Sequence, residues 1–162
     1  VPLVRKALPE LIVVAVAQAP RMTAQGLATT AWALAVLEVP PLEAGALLQR
    51  LRKEAMRRLH EFSAQDLVFT AWAFASLEVR DKPLMDAISA AAIPKIAQFA
   101  PKGLANMAWA YALLGLRDRP LMAAIAAASR AIIKDFHPDD LANTASSFVL
   151  WTVPSPPPRR PP

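Results

Sequence analysis

The sequence has no cysteine, only four glycines and no long apolar run. The lack of cysteine excludes a disulfide framework, a thiolate nucleophile and a zinc–cysteine site. The scarcity of glycine, in a chain that is 55% hydrophobic and rich in alanine, favours closely packed helices over strands and turns. Apolar runs such as residues 11–17 are far too short for a transmembrane segment.

Residues of the kinds that carry catalysis are also scarce. The two histidines, His60 and His137, have neither a second metal ligand nor a serine–acid partner at a useful spacing. Asp139 and Asp140 suit the start of a helix, where they complement its dipole, better than acid–base chemistry. We therefore expect no enzymatic activity, no metal or other cofactor and no small-molecule substrate.

Charge is sparse and mildly basic. Charged residues make up 19% of the chain, and the formal net charge is +5. This balance permits an anionic partner such as RNA but does not require one. Because the sequence begins with Val1 rather than methionine, we interpret it as processed or partial, with any targeting peptide outside it.

One apolar pattern occurs four times along the chain. It reads LATTAWALA at residues 27–35, and it returns at residues 67–75, at residues 104–112 and, in degenerate form, at residues 141–148. Successive copies start 40, 37 and 37 residues apart. Before each copy, a Pro-Leu pair opens a longer periodic stretch, and proline suits the first turn of a helix. These pairs are Pro2-Leu3, Pro41-Leu42, Pro83-Leu84 and Pro120-Leu121.

The two motifs together define a hairpin of a short helix A and a longer helix B, in a chain that starts with a helix B. We predict an all-α fold, a right-handed α-solenoid of antiparallel helical-hairpin repeats of about 37 to 40 residues, over residues 1–151. Residues 152–162 form a proline-rich basic tail, an extended polyproline II segment that is either a linker or a ligand for a partner's groove. The repeat units lie near residues 1–37, 38–79, 80–116 and 117–151.

Local signals predict where several helices begin and end. The segment Ser63–Asp66 has the capping-box pattern, and Thr23 is the expected N-cap of the first helix A. Pro94 falls inside a helix B and should kink or shorten it, because proline cannot continue the hydrogen-bond ladder.

Helix A has two contrasting faces at about 100° per residue. The face opposite the core carries a tryptophan in each of the first three copies. Trp32, Trp72 and Trp109 should therefore form a ladder along the stack. These rings either pack against the neighbouring repeat or serve as stacking platforms for RNA bases. The expected core face consists of Leu27, Thr30, Ala31, Leu34 and Leu37.

Two further positions of helix A differ in type between copies, while the core positions repeat. Varying side chains at a fixed place in each repeat can supply a base-reading code, so these residues are RNA-binding candidates. The alternative is that solvent-facing positions drift freely. One position holds Thr29, Phe69, Asn106 and Asn143, and the other, one turn earlier, holds Gln25, Gln65 and Lys102 in the first three copies.

A basic stripe runs along the second helix B. Helical spacing places Arg50, Lys53 and Arg57 on one side, where they are candidates for phosphate contact. Glu54 and Glu61 share this stripe, so the alternative is a solvated, ion-paired face.

Two segments resemble the helix A signature of octotricopeptide-type repeats, which occur with RAP domains. These are GLANMAWAYA at residues 103–112 and DLANTA at residues 140–145. The resemblance covers nearly all of residues 1–151. It implies an α-solenoid that binds organellar RNA, in a chloroplast or a mitochondrion, with base contact at Thr29, Asn106 and Asn143.

Two hypotheses about function follow. The first is a non-enzymatic organellar protein that binds or associates with RNA and acts in RNA maturation, RNA stability or translation. One form of this hypothesis is a ribosome-associated subunit. Its expected partners are organellar RNA and the protein subunits of a larger assembly. The second is a structural adaptor in a large ribosomal, respiratory or photosynthetic complex, which the alanine-rich, lightly charged surface favours.

Overall fold

The computed structural model describes the backbone of residues 2–152 and the side chains of residues 6–152. This part of the chain is all-helical, without strands, and its packing is that of the predicted α-solenoid. The predicted tail lies outside the described residues, apart from Thr152. The helices are α1 (Pro2–Gln18), α2 (Ala24–Val36), α3 (Pro41–Arg58), α4 (Ala64–Ser76), α5 (Lys82–Ala92), α6 (Pro101–Leu113), α7 (Arg119–Ala131) and α8 (Pro138–Thr152).

The helices form two layers, with the even-numbered A helices in one and the odd-numbered B helices in the other. Each A helix packs along its neighbours, α2 on α4, α4 on α6 and α6 on α8, whereas neighbouring B helices touch less extensively. Small side chains let the A helices approach closely, and Ala73, Ala108 and Ala110 are fully buried.

The predicted helix starts are confirmed. The Thr23 hydroxyl accepts the Gly26 N–H at 3.0 Å, and Ser63 and Asp66 form the reciprocal capping box. Two further caps were not predicted. The carboxylates of Asp81 and Asp118 accept the N–H groups three residues ahead, at 3.0 and 2.9 Å, and so begin α5 and α7.

Pro94 shortens its helix as predicted. The α-helical part of that helix B ends at Ala92, and the chain continues as a 3₁₀-helix over Ile93–Gln98. Within the described residues no helix combines the length and the apolar character that a membrane span needs.

Each of the three turns from helix A to helix B contains a Schellman motif. In the second, the Val79 N–H donates to the Phe74 carbonyl at 2.8 Å, and the Glu78 N–H donates to the Ala75 carbonyl at 2.9 Å. In each motif the residue after the helix C-cap has a left-handed backbone conformation, with φ of 51° at Glu38, 56° at Glu78 and 64° at Gly115. Two of the three turns thus hold a glutamate where glycine is the unstrained residue.

The core face of helix A is confirmed at three of its five predicted positions, and Thr30 is only half-buried. Leu27, Ala31 and Leu34 are buried, but Leu37 is 42% exposed, so its predicted core role is wrong. The equivalent Leu77 and Leu114 are buried, because each has a preceding A helix beside it and α2 has none within the described residues.

A buried tyrosine joins the layers in the third unit. Tyr111 of α6 donates its hydroxyl proton to the Met85 carbonyl oxygen of α5. Burial raises the pKa of Tyr111 above its ordinary range, so the phenol stays neutral and keeps donating this bond.

The left-handed turn residues give a test of stability. We expect Glu78→Gly to raise the free energy of unfolding by about 0.5–1 kcal/mol, because the relief of left-handed strain exceeds the added freedom of the unfolded chain. Gly115→Ala should lower it by about 1 kcal/mol. Urea unfolding followed by circular dichroism measures both, and a loss of stability in Glu78→Gly would contradict the assignment of strain to that turn.

Candidate nucleic-acid interface

A groove on the exposed side of the A layer crosses three consecutive units. Its volume is about 620 Å³, and we call it the A-layer groove. Because its wall comes from α2, α4 and the start of α6, no single repeat contains it. The lining residues are Trp32, Val36, Gln65, Val68, Phe69, Trp72, Ala100, Lys102, Gly103 and Asn106.

The groove collects four of the RNA-binding candidates that the sequence predicts. Gln65 and Phe69 come from α4, and Lys102 and Asn106 come from the next A helix. The repeat rule brings them together, because equivalent positions of neighbouring A helices lie side by side along the stack.

The aromatic rings of the groove form two stacked pairs rather than one ladder. Trp32 lies on Phe69 with ring centroids 5.7 Å apart, and Trp72 lies on Trp109 at 6.3 Å. Each pair joins neighbouring A helices, so the rings do pack between repeats as one interpretation proposed. Trp32 is nevertheless 37% exposed, and both Trp32 and Trp72 line the groove. The rings therefore keep apolar surface on which a flat ligand can stack.

The polar groups of the groove have open hydrogen-bonding capacity. Within the described residues, the side-chain amides of Gln65 and Asn106 make no hydrogen bond that would hold them. An amide presents both a donor and an acceptor, which is the pattern needed at the edge of a nucleobase.

Lys102 is the cation of the groove. It is exposed, and it forms no ion pair within the described part of the chain. It is the second residue of α6, where a positive side chain opposes the helix dipole. At this position the charge of Lys102 adds to the positive end of the helix dipole, and the two together favour the binding of a phosphate.

The other candidates on the A helices lie elsewhere. Thr29 and Asn143 are exposed but do not line the A-layer groove. Gln25 lines a separate depression with Arg21 and Arg58, between the start of α2 and the end of α3.

The basic stripe of α3 belongs to the B layer and does not reach the groove. Arg50 and Arg57 both approach the buried carboxylate of Glu54, at 3.7 and 4.0 Å. Two of the three cations are thus partly neutralised. Lys53 is exposed and has no ion pair among the described residues.

The floor of the groove includes residues that sequence reasoning did not select. Val68 and Gly103 contribute apolar surface between the aromatic rings and Lys102. A methyl group on Gly103 would meet the Val68 side chain at 3.5 Å, an ordinary contact. In the sequence, Val68 stands directly before the candidate Phe69, and Gly103 stands directly after the candidate Lys102. This adjacency is the signal that could have indicated them.

The stacked pairs give a test of how the rings contribute to stability. We expect Trp72→Ala to lower the free energy of unfolding by about 2–3 kcal/mol, because the ring is half-buried between α4 and α6. Trp32→Ala should cost about half as much, since that ring is more exposed and, within the described residues, its helix packs on a single A helix. Equal losses in urea unfolding would contradict this difference in packing.

Comparison with known protein families gives a match over most of the chain. A search of curated proteins found none. The family described as RNA-editing substrate-binding complex 6 protein matches residues 5–152, which include the A-layer groove and the α3 stripe. The match supports an RNA-associated helical protein and does not confirm the octotricopeptide-type family specifically. The chain belongs to the RNA-editing substrate-binding complex 6 protein family.

Proposed function

We propose that this chain is a non-enzymatic RNA-binding subunit of an RNA-editing assembly and that the A-layer groove holds unpaired RNA. The observation that carries the proposal is the meeting, in one groove, of aromatic rings with two amides and a lysine that have no side-chain partner among the described residues. Family membership supports RNA and protein partners. It supports neither a ribosomal nor a photosynthetic assembly.

The chemistry of the groove favours single-stranded over double-stranded RNA. Stacking on Trp32, Phe69 or Trp72 requires a base whose face is free, and the bases of a duplex are already stacked. The amides of Gln65 and Asn106 lie close enough to these rings to line the same groove, where they would meet the edge of a stacked base. Lys102 would meet the adjoining phosphate.

The mitochondrion is the compartment we propose. Family membership is compatible with this organelle and gives no support for the chloroplast. The proposal rests on family membership together with the resemblance to organellar RNA-binding repeats.

A titration of fluorescent single-stranded RNA, followed by anisotropy at several salt concentrations, tests the groove. We expect Lys102→Ala to weaken binding and to reduce the slope of log affinity against log salt by about 0.7, because one phosphate contact is lost. Phe69→Ala should cost about 1–3 kcal/mol of binding, the value of one stacked base.

Lys53→Ala is the matched control for Lys102→Ala. Both lysines are exposed and without an ion pair in the described part of the chain, but Lys53 lies in the B layer. Binding should survive Lys53→Ala unchanged. If Lys53→Ala weakened binding and Lys102→Ala did not, the α3 stripe rather than the groove would be the RNA site. Absence of salt-sensitive binding at micromolar protein would remove the RNA proposal altogether.

A structural adaptor is the second candidate function. Exposed apolar side chains on α1 and α8, among them Leu11, Val14, Val149 and Leu150, favour protein contact. Affinity purification with and without nuclease treatment separates the candidates. Partners that survive nuclease favour the adaptor, and partners that are lost with the RNA favour the groove.

A further inference from the structure

A second groove lies at the edge of the A layer where the A helices end. Its volume is about 450 Å³, and we call it the edge groove. Its walls come from the ends of α2 and α4 and from the turns that follow them, so the described chain contains both walls. The lining residues are Ala35, Glu38, Val39, Pro40, Pro41, Ser76, Leu77 and Glu78.

The edge groove combines apolar surface with two carboxylates. Pro40 and Pro41 are exposed in its lining. Glu38 and Glu78 are also exposed, and neither forms an ion pair among the described residues. The lining includes no cation, whereas the A-layer groove includes Lys102. Such a lining suits an occupant that is both apolar and positively charged.

The two carboxylates are a feature of the edge groove and not of every turn. Glu38 and Glu78 occupy the left-handed position of their turns, and Gly115, which has no side chain, occupies it in the third. Arg80 follows Glu78 by two residues but does not line the groove. The third turn carries Arg117 two residues after its glycine. A positively charged segment is therefore attracted to the first two turns rather than to the third.

The segment after α8 has the composition that the edge groove suits. Residues 154–162 contain six prolines, the cations Arg159 and Arg160, and no acidic residue. The sequence predicts a polyproline II conformation for this tail, and a segment of that kind loses little conformational entropy when it binds. An arginine can pair with a carboxylate through two hydrogen bonds. The tail thus offers apolar rings for the prolines of the groove and two guanidinium groups for its two glutamates.

Chain direction and length place the edge groove within reach of the tail. Because a B helix separates successive A helices, the A helices run in one direction and end at the same edge of the layer. Thr152 ends α8 at this edge, and packed helices lie about 8–10 Å apart, so the path to α4 is about 16–20 Å. Arg159 follows Thr152 by seven residues, which span about 22 Å at about 3.1 Å per residue. The tail arginines can therefore reach Glu78.

One exposed apolar side chain lies on this path. Leu113, at the end of α6, is 48% exposed although α6 packs against an A helix on each side. Its exposure is therefore not an effect of the chain ends. Pro156 follows Thr152 by four residues, about 12 Å in polyproline II, and α6 is one helix spacing from α8. The prolines before the two arginines would thus pass Leu113.

We propose that the proline-rich tail binds the edge groove of its own molecule, with Arg159 and Arg160 paired to Glu78 and Glu38. The tail would run along the edge of the A layer and connect the fourth hairpin to the first two. This contact differs in kind from the others in the stack, because a repeat fold is held together by contacts between neighbouring units.

A nitroxide label on the full chain tests the proposal. Because the sequence has no cysteine, Pro161→Cys gives a single attachment site beside the two arginines. A nitroxide broadens the amide signals of residues near it, so we expect the Val39 and Leu77 signals of a ¹⁵N-labelled chain to be lost and to return when the nitroxide is reduced. The Gly26 and Ser63 signals should persist, because 13 helical residues, about 20 Å, separate that end of α2 and α4 from the groove.

Neutral variants test the charges. Glu38→Gln with Glu78→Gln should restore the Val39 and Leu77 signals, because the arginines lose their partners. Glu10→Gln with Asp135→Asn is the matched control, since it removes the same charge from exposed positions outside the groove. The control should leave the broadening unchanged, and circular dichroism checks that every variant keeps its helicity.

A reciprocal exchange of charge separates pairing from an indirect effect on folding. Arg159→Glu with Arg160→Glu should abolish the broadening. Adding Glu38→Arg with Glu78→Arg should bring it back, because the opposite charges again face each other. An effect on folding alone gives no such rescue.

The same label distinguishes binding within one molecule from binding between two. A nitroxide-labelled chain without ¹⁵N is mixed with a ¹⁵N-labelled chain without nitroxide, and the mixture should show no broadening. Three results would overturn the proposal. They are intact Val39 and Leu77 signals in the labelled chain, broadening that the two Glu→Gln changes leave in place, and broadening in the mixture as strong as in the labelled chain, which is the result when the tail binds a second copy.

Discussion

Close contact between neighbouring A helices is the constraint on which the rest of this structure depends. Alanine at positions such as Ala73, Ala108 and Ala110 lets the helix backbones approach, and these side chains are fully buried. A larger side chain there would separate the helices and open the A layer. The contact also fixes the register between units, because each A helix meets the next with the same positions. The Schellman motifs end each of the first three A helices at the equivalent residue, so the following B helix starts from the same place in each unit.

This register explains why a groove exists at all. An A helix by itself presents one row of outward residues, too narrow to enclose a ligand. Side by side, α2, α4 and α6 place Trp32, Phe69 and Trp72 next to Lys102 and Asn106. The rings contribute twice, since one side of each pair stabilises the junction and the remaining surface lines the groove. The side chains that stabilise the junction are therefore also the ones that we propose contact RNA.

The same repeat rule accounts for the unusual surfaces at the two ends of the stack. A solenoid unit buries one face against the unit before it and the other against the unit after it. Leu11 and Leu141 are core residues by type and surface residues by location. Their exposure follows from the absence of a neighbour within the described residues, and not from any difference in the helices that carry them.

The sequence by itself determined the helices, their order and most of their ends. Internal copies, Pro-Leu pairs and capping residues are local signals, and the structure confirms them at Thr23, Ser63 and Pro94. The sequence also located the outward face of helix A, because that face depends only on helical periodicity. It could not show that Phe69 rather than Trp72 stacks on Trp32, or that Arg50 and Arg57 share Glu54. It also misplaced Leu37, which is exposed. These features depend on which helix lies beside which, and on whether a neighbour is present, so only the tertiary structure decided them.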